Sequence, residues 1–411
     1  MTIFKYRGKN LYLENASIDK IAKKNPTPFY LYSLKQLEKN FYYFQNTFRK
    51  TSPLICFAVK SNPNLTILKN LQKLNSGADV VSIGELQLAL KAGIQPNKIV
   101  FSGIGKTKEE LDFAISKKIL LINAESESEV NQISKIAKNK KCRVAISLRL
   151  NPNINANTIS KISTGKKSDK FGISLEESYK IFINNIKNKN ISIEGISVHI
   201  GSQIKQLSPF QKTLKVVDKF IQKLNNNKIF IKYLDLGGGM GISYLPKDTK
   251  FNLKEYAKIV DQFNQRYKLK IIFEPGRYLS ANTAILVAKV IYIKKIQDRN
   301  FIILDAGMND LMRPALYDSK HEILPIQKSK GKFNKKVEFV GPICESTDKF
   351  MTYLNYYKLK EGDLVCFTNV GAYGRSLSSN YNIRPLIAEI AINKNSFKII
   401  RPRQKLKDLI K

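Results

Sequence analysis

From about residue 54 the chain alternates between two textures: a short apolar run, then a longer stretch whose apolar positions recur at helical spacing. The runs are Leu54–Val59, Ala78–Val81, Lys98–Phe101, Ile119–Ile122, Arg143–Leu150, Gly195–Ile200, Lys232–Leu236 and Lys270–Phe273. Between them Asn64–Leu74, Gly84–Ala92, Lys108–Ser116, Ser126–Ala137, Leu175–Ile186, Pro209–Leu224 and Leu253–Tyr267 predict helices. Eight strands alternating with helices over roughly 220 residues predict a (β/α)8 barrel, whose usual size is about 250 residues.

After Arg277 the alternation stops. Asn282–Lys294, Phe301–Asp305, Lys336–Val340, Asp363–Asn369 and Pro385–Ile392 read as strands separated by turn residues. The first 29 residues, closed off by Pro26 and Pro28, carry a weak signal and are assigned to the same β domain. The expected organisation is a barrel over residues 30–279 and a β domain built from 1–29 and 280–411. A length of 411 residues fits two cores better than one. One long polar loop, Asn151–Ser168, follows the fifth strand, on the side where a barrel keeps its active site.

Charge changes this picture little. The formal net charge is +37, which suits nucleic acid in principle. The lysines, however, are spread along the whole chain beside Asn and Ile, and no helix or arm collects them, so neither a nucleic-acid partner nor a membrane partner is expected. No apolar run is long enough to cross a bilayer, and the opening MTIFKYRGKN lacks the apolar centre of a signal peptide, so a cytoplasmic protein is expected. Cys56, Cys142, Cys344 and Cys366 lie far apart, which argues against a zinc site or a disulfide framework and gives no expectation of a bound metal. Cys56, Cys142 and Cys366 sit in apolar runs as small hydrophobes. Cys344, in GPICES, sits in an exposed turn.

Barrels carry their reactive groups at the C-terminal ends of strands. Here those ends hold Lys60; Asp79 and Ser82; Ser102 and Gly103; Arg149 and Asn151; His199; Gly237, Gly238 and Gly239; and Glu274, Gly276 and Arg277. Lys60 directly follows an apolar strand, and a desolvated lysine loses its proton more easily and can form a Schiff base. Position alone leaves open a lysine that snorkels to the rim. The glycine triplet lets backbone N–H groups approach an anion, and phosphate is the usual guest of the seventh and eighth loops. Gly201, Ser202 and Arg277 on neighbouring strand ends strengthen that reading. Glu274 suits the nitrogen of a cofactor pyridine, with an ion pair to Arg277 as the alternative. His199 is one of two histidines in the chain and faces the same mouth. In the β domain, Arg313 and Tyr317 of RPALY, Cys344 and Glu345 of GPICES and Tyr373 of GAYGR supply acid, base and phenol groups in loops.

The segments FAVKSN, GADVVSIGEL, KFGI, HIGSQ, DLGGGMGISY, EPGR, DAGMNDLMRPALY, GPICESTD and GAYGRSLSSNYNIRP, running in order from near Lys60 to Pro385, resemble the diaminopimelate decarboxylases of the fold-type III pyridoxal-phosphate (PLP) group. The resemblance implies an alanine racemase-like plan, a PLP-binding barrel followed by a β-barrel or β-sandwich. It implies that Lys60 carries the PLP, His199 stacks on its ring and Glu274 pairs with its nitrogen, with Asp79 beside them. It implies that Ser202, Gly237, Gly238, Gly239, Gly276 and Arg277 surround the phosphate, with Tyr373 touching the cofactor. It further implies that Arg277, Arg313, Tyr317, Glu345 and Tyr373 contact the substrate, meso-diaminopimelate, and that Cys344 donates a proton. Cys344 and Glu345 come from the partner subunit in that family, so a homodimer with shared sites is implied. Ser61 is a departure, since similar enzymes usually show alanine there.

Ornithine- or arginine-type decarboxylases on the same scaffold are the nearest alternative. They resemble this chain but carry aspartate after the loop cysteine, whereas Glu345 follows Cys344 here and Arg313 offers a cation to a distal carboxylate. An alanine racemase would need a two-base arrangement and lacks the CES loop. A non-catalytic PLP carrier would lack the substrate groups of the β domain.

Overall fold

The computed structural model describes residues 3–156, 164–165, 169–393 and 396–410. Of the long loop after the fifth strand, residues 157–163 and 166–168 lie outside the described residues. The chain divides into two compact units, one of Phe41–Ile242 with Thr249–Tyr278, the other of Met1–Asn40, Ser243–Asp248 and Leu279–Lys411.

The first unit is a closed barrel of eight parallel strands in chain order: Leu54–Ala58, Gly77–Val80, Ile99–Phe101, Leu121–Ala124, Val144–Arg149, Ile191–Ser197, Tyr233–Asp235 and Lys270–Phe273. The sixth strand starts four residues before the expected Gly195, because Ser192 and Glu194 interrupt the apolar run. The ladder shifts register there, between Ile193 and Gly195. It also ends at Ser197, which leaves His199 beyond the strand rather than on it. Cys56, Val100, Leu121 and Ile272 pack together as a buried cluster. Cys142 differs from the expectation: it precedes the fifth strand and is only half-buried.

Six helices of this unit start where the sequence supplies a cap. Asn64, Ser82, Thr107, Ser126, Ser174 and Asn252 each accept a backbone N–H of the first helical turn through the side chain. At Thr107 the Glu110 side chain completes a reciprocal capping box. Each cap contributes roughly 1 kcal/mol and fixes where the loop above the barrel ends.

Helix Leu34–Thr47 was not expected, nor was the shorter Ile18–Lys24. Phe44 and, just beyond the helix, Phe48 pack on Phe273 of the eighth strand, with ring centroids 5.5 and 4.5 Å apart. The preceding strand, Phe29–Ser33, pairs antiparallel with Ala284–Val287 and parallel with Ala388–Ile392. Residues 30–40, expected to open the barrel, therefore belong to the second unit.

That second unit holds a three-stranded sheet, Phe4–Arg7, Asn10–Leu13 and Ala16–Ser17, and a nine-stranded sheet. Its long strand Ala284–Ile296 pairs in its first half with Phe29–Ser33 and Leu364–Phe367 and in its second half with Arg299–Leu304. Leu11, Leu13, Phe29, Ile285, Val287 and Ile390 are among the fully buried residues of its core. Ile323–Pro325, Lys349–Tyr353 and Ser396–Arg401 are strands beyond those expected. Among the described residues no helix is long and apolar enough to cross a membrane.

Candidate active site

The mouth of the barrel opens on a cavity of about 350 Å3, lined among others by Lys60, Ser102, Arg149, His199, Asp235 and Glu274. Lys60 lies in the single 3-10 turn Val59–Ser61 that ends the first strand, so its side chain leaves the strand at the mouth. Its Nζ is 2.6 Å from Asp79 Oδ2, with the lysine side chain 35% exposed and the aspartate fully buried. A short ion pair at the rim, not a dry interior, is thus the setting of the ammonium. The second oxygen of Asp79, Oδ1, is buried without a hydrogen-bond partner among the described residues. Ser61 donates its hydroxyl back to Ala58 O at 2.7 Å.

Glu274, at the exit of the eighth strand, is buried and accepts from Ser102 Oγ at 3.1 Å. Asn123 Nδ2 reaches Ser102 Oγ at 3.0 Å, Asp235 Oδ2 at 3.1 Å and Glu274 Oε1 at 3.5 Å. Asn123 itself is oriented by Ser147, whose hydroxyl donates to its Oδ1. Burial first, then the neighbouring Asp235 and Asp79, push the Glu274 carboxyl well above its ordinary range. Asp235 is raised less, to about 6, by burial, and hydrogen bonds from Glu274, Gly237 N–H and Asn123 oppose the rise. Two buried carboxyls this close resist ionising together, which raises the hold of the pair on a proton. The alternative of an ion pair between Glu274 and Arg277 is not what organises the site: Arg277 Nη2 donates to Ser202 Oγ at 3.0 Å.

His199 accepts from Gly238 N–H through Nδ1 at 3.2 Å. Burial, then Arg149 and Lys60, hold its pKa well below the ordinary value, so the ring is neutral with its hydrogen on Nε2. Arg149 is fixed by Glu125, at 2.8 Å from its Nη1, and lies over the Phe171 ring at 4.9 Å.

The glycine turn is as crowded as a phosphate cradle needs to be. Gly237 and Gly239 have φ of +62° and +89°, and a Cβ on Gly238 would stand 2.4 Å from Glu274 O. A Cβ on Gly239 would stand 2.5 Å from Gly201 O, and one on Gly276 2.8 Å from Ser61 Cβ. Side chains are excluded here; Gly237 N–H donates to Asp235 Oδ1 and Gly238 N–H to His199 Nδ1, so Gly239 N–H is the donor of the triplet left for an anion.

Lys60, Asp79, His199, Ser202, the glycine triplet, Glu274, Gly276 and Arg277 thus all lie in the barrel unit, at its mouth. Arg313, Tyr317, Cys344, Glu345 and Tyr373 belong to the second unit. Arg313 opens the short helix Arg313–Tyr317 and is buried rather than in an open loop. Tyr317 is half-buried, as is Tyr373, which has a left-handed φ of +54°. Cys344 and Glu345 are exposed. Tyr381 Oη and Thr347 Oγ1 both donate to Glu345, the latter at 3.1 Å.

Asn123, Asp235, Glu125 and Glu85 escaped the sequence reading. Glu85 accepts from Val81 N–H at 2.9 Å beneath the second loop, and burial raises its pKa to about 7. The available signal was a polar residue inside a buried strand, for Asn123 and Asp235, which costs stability unless hydrogen-bonded.

Residues 34–281 match the family model described as the pyridoxal binding domain of pyridoxal-dependent decarboxylases. The diaminopimelate decarboxylase of Helicobacter pylori is 42% identical over 393 residues, covering 95% of this chain and 96% of its own. The crystal structure of diaminopimelate decarboxylase from Helicobacter pylori complexed with L-lysine superposes with a TM-score of 0.91 at 40% identity, covering 95% of this chain and 98% of that one. The corresponding enzyme of M. jannaschii in co-complex with L-lysine gives 0.94 at 34% identity, covering 99% and 96%. A tight glycine turn, a lysine and a buried glutamate at one barrel mouth, and likeness over nearly the whole length to enzymes of one name, agree: the chain belongs to the pyridoxal-dependent decarboxylases, in the diaminopimelate decarboxylase family.

Proposed function

We propose that this chain removes CO2 from meso-2,6-diaminopimelate to give L-lysine, with pyridoxal phosphate bound at the barrel mouth. The observation that carries the reading is the meeting of Lys60, His199 and Glu274 around one cavity of about 350 Å3. The site's chemistry fits the cofactor. Gly237, Gly238, Gly239 and Gly276, with Ser202 and Arg277, would hold the phosphate, and Glu274 would face the ring nitrogen. Bound pyridoxal phosphate supplies an electron sink for the pair released when the bond from Cα to the carboxylate breaks.

The chain's own groups do the rest. Lys60 must surrender a proton before its amine can act as a nucleophile, and Asp79 Oδ2, 2.6 Å away, holds the ammonium in place until then. Burial, then Asp235 beside it, pushes the Glu274 carboxyl well above its ordinary range, so that it would share a proton with a ring nitrogen facing it. His199, kept neutral, offers a flat face rather than a charge. Arg313 would anchor the distal carboxylate with Tyr317, Tyr373 and Arg277 near the substrate, and Glu345 would take a distal amine. Cys344 would return a proton to the carbon.

Cys344 and Glu345 are exposed, and the neighbouring Tyr381 and Ile383 are 44% and 57% exposed. Such apolar exposure beside a reactive loop supports a homodimer in which this loop completes the partner subunit's site. All four cysteines are unpaired, which suits the reducing cytoplasm.

The test is CO2 release from meso-diaminopimelate beside ornithine and arginine, with product analysis. Lysine from the first substrate alone is expected. Preference for ornithine would overturn the substrate and favour the basic amino-acid decarboxylases of the same scaffold.

A further inference from the structure

The chain has two histidines, and the second, His321, plays no part in the site described so far. It is buried, 1% exposed. Its Nδ1 lies 2.8 Å from Thr368 O and its Nε2 2.8 Å from Arg313 Nη1. A carbonyl only accepts and a guanidinium only donates. Both contacts are hydrogen bonds in a single state of the ring, neutral with the hydrogen on Nδ1. Thr368 O then accepts from Nδ1, and Arg313 donates to the Nε2 lone pair.

The same guanidinium is held in two further directions. Its Nη2 donates to Ser319 Oγ at 3.1 Å, and its face lies over the Tyr244 ring with the central carbon 4.5 Å from the centroid. Tyr244 in turn meets His321 edge-on, centroids 5.0 Å apart. Stacking on Tyr244 fixes the plane of the guanidinium, while His321 and Ser319 fix its rotation within that plane. A long side chain that would otherwise lose rotamer freedom on binding an anion is ordered beforehand.

We propose that His321 is the positioning residue for Arg313 and thereby sets affinity for ligands that carry a carboxylate at the end remote from the reacting carbon. This rests on the reading above that Arg313 anchors the distal carboxylate. His321 touches neither substrate nor reacting atoms; it acts through the arginine.

Three variants of the full-length holoenzyme separate its contacts. His321→Phe removes both hydrogen bonds. His321→Asn keeps an amide donor toward Thr368 O but withdraws the acceptor from Arg313. His321→Gln brings an acceptor back toward Arg313. The probes are meso-diaminopimelate as substrate, with L-lysine and cadaverine as competing ligands. L-Lysine retains the remote carboxylate after decarboxylation; cadaverine has none.

In the Phe and Asn variants KM for meso-diaminopimelate and the inhibition constant of lysine are expected to rise together about tenfold, the worth of one hydrogen bond to a charged group. Over the same series kcat should stay within about twofold, and cadaverine should bind unchanged, because the loss is confined to binding. The Gln variant should recover most of the affinity. Equal weakening of lysine and cadaverine, or a fall in kcat with KM unmoved, would overturn the proposal. If the Phe variant does not fold, Asn against Gln carries the comparison, and equal affinities in those two overturn it. Wild-type protein that does not turn over meso-diaminopimelate would instead strike the substrate assignment. Turnover with normal KM in all three variants would strike His321 alone.

Discussion

Replacing Lys60 by alanine tests how the barrel mouth is held before any cofactor arrives. The change strands a fully buried aspartate: Asp79 has lost the ammonium 2.6 Å from Oδ2, and its Oδ1 has no partner among the described residues. Breaking a buried ion pair by removing one member costs about 3–5 kcal/mol, since the remaining charge has neither water nor partner. Here the lysine side chain is 35% exposed, so water can enter the space it vacates, and we reduce the expected loss to roughly 2 kcal/mol. For a unit of this size that corresponds to a fall in Tm of about 4–8 °C. Asp79→Asn alone should cost less, because the ammonium it leaves behind can reach solvent. The loss in the double variant, Lys60→Ala with Asp79→Asn, should be smaller than the sum of the two single losses by a coupling of about 1–2 kcal/mol. The assay is thermal unfolding of the cofactor-free proteins by circular dichroism, all four in one buffer. Strictly additive losses would refute the claim that Asp79 is the partner holding Lys60 in place. Neither alanine variant should acquire a visible absorption band on adding pyridoxal phosphate.

Three further outcomes are expected. Gly276→Ala puts a Cβ 2.8 Å from Ser61 Cβ, beside Lys60, an overpacking of roughly 1–3 kcal/mol; cofactor binding followed by fluorescence should weaken at least about tenfold, and unchanged affinity would remove Gly276 from the cradle. Glu85 has a folded-state pKa of about 7 against an ordinary 4.5, chiefly through burial. The folded state thus holds this proton more tightly than the unfolded one, so its contribution favours folding at low pH and is lost as pH rises through that interval. The urea midpoint of cofactor-free protein should fall across the interval and fall less in Glu85→Gln; identical pH profiles count against the assignment. Mixing inactive Lys60→Ala with inactive Cys344→Ala subunits should recover about a quarter of wild-type activity, because half the dimers of a random mixture are hybrids with one intact site; no recovery would mean that each subunit completes its own site.

The barrel was legible because strands covered on both faces read as continuous apolar runs, and the caps between them are written in Ser, Thr and Asn. What stayed hidden was set by partners distant in sequence. Helix Leu34–Thr47 was missed because Phe44 finds its apolar contact on Phe273, far along the chain. Residues 30–40 fall within the expected barrel bounds, and only the pairing of Phe29–Ser33 with Ala284–Val287 and Ala388–Ile392 moves them to the second unit. At the site, the strand-end rule found Lys60, Asp79, His199 and Glu274 but passed over Asn123, inside strand Leu121–Ala124, and Asp235, which closes strand Tyr233–Asp235 but lay within the expected run Lys232–Leu236. An isolated polar residue in an apolar run looks like noise in one dimension. Only the closed barrel brings Asn123 Nδ2 within 3.1 Å of Asp235 Oδ2. Lys60 followed its strand as expected, yet the structure gives it an ion pair where the sequence suggested desolvation.

The strand Phe29–Ser33 is sandwiched between segments that begin more than 250 and more than 350 residues later. A ribosome therefore delivers it more than 350 residues before its last neighbour. The barrel can form while the chain is still emerging, but this strand must wait with an unpaired edge, the kind of surface on which nascent chains stick to one another. Losing strand Ala388–Asn393 would make that waiting permanent, so a stop ahead of it should yield aggregates rather than a trimmed enzyme.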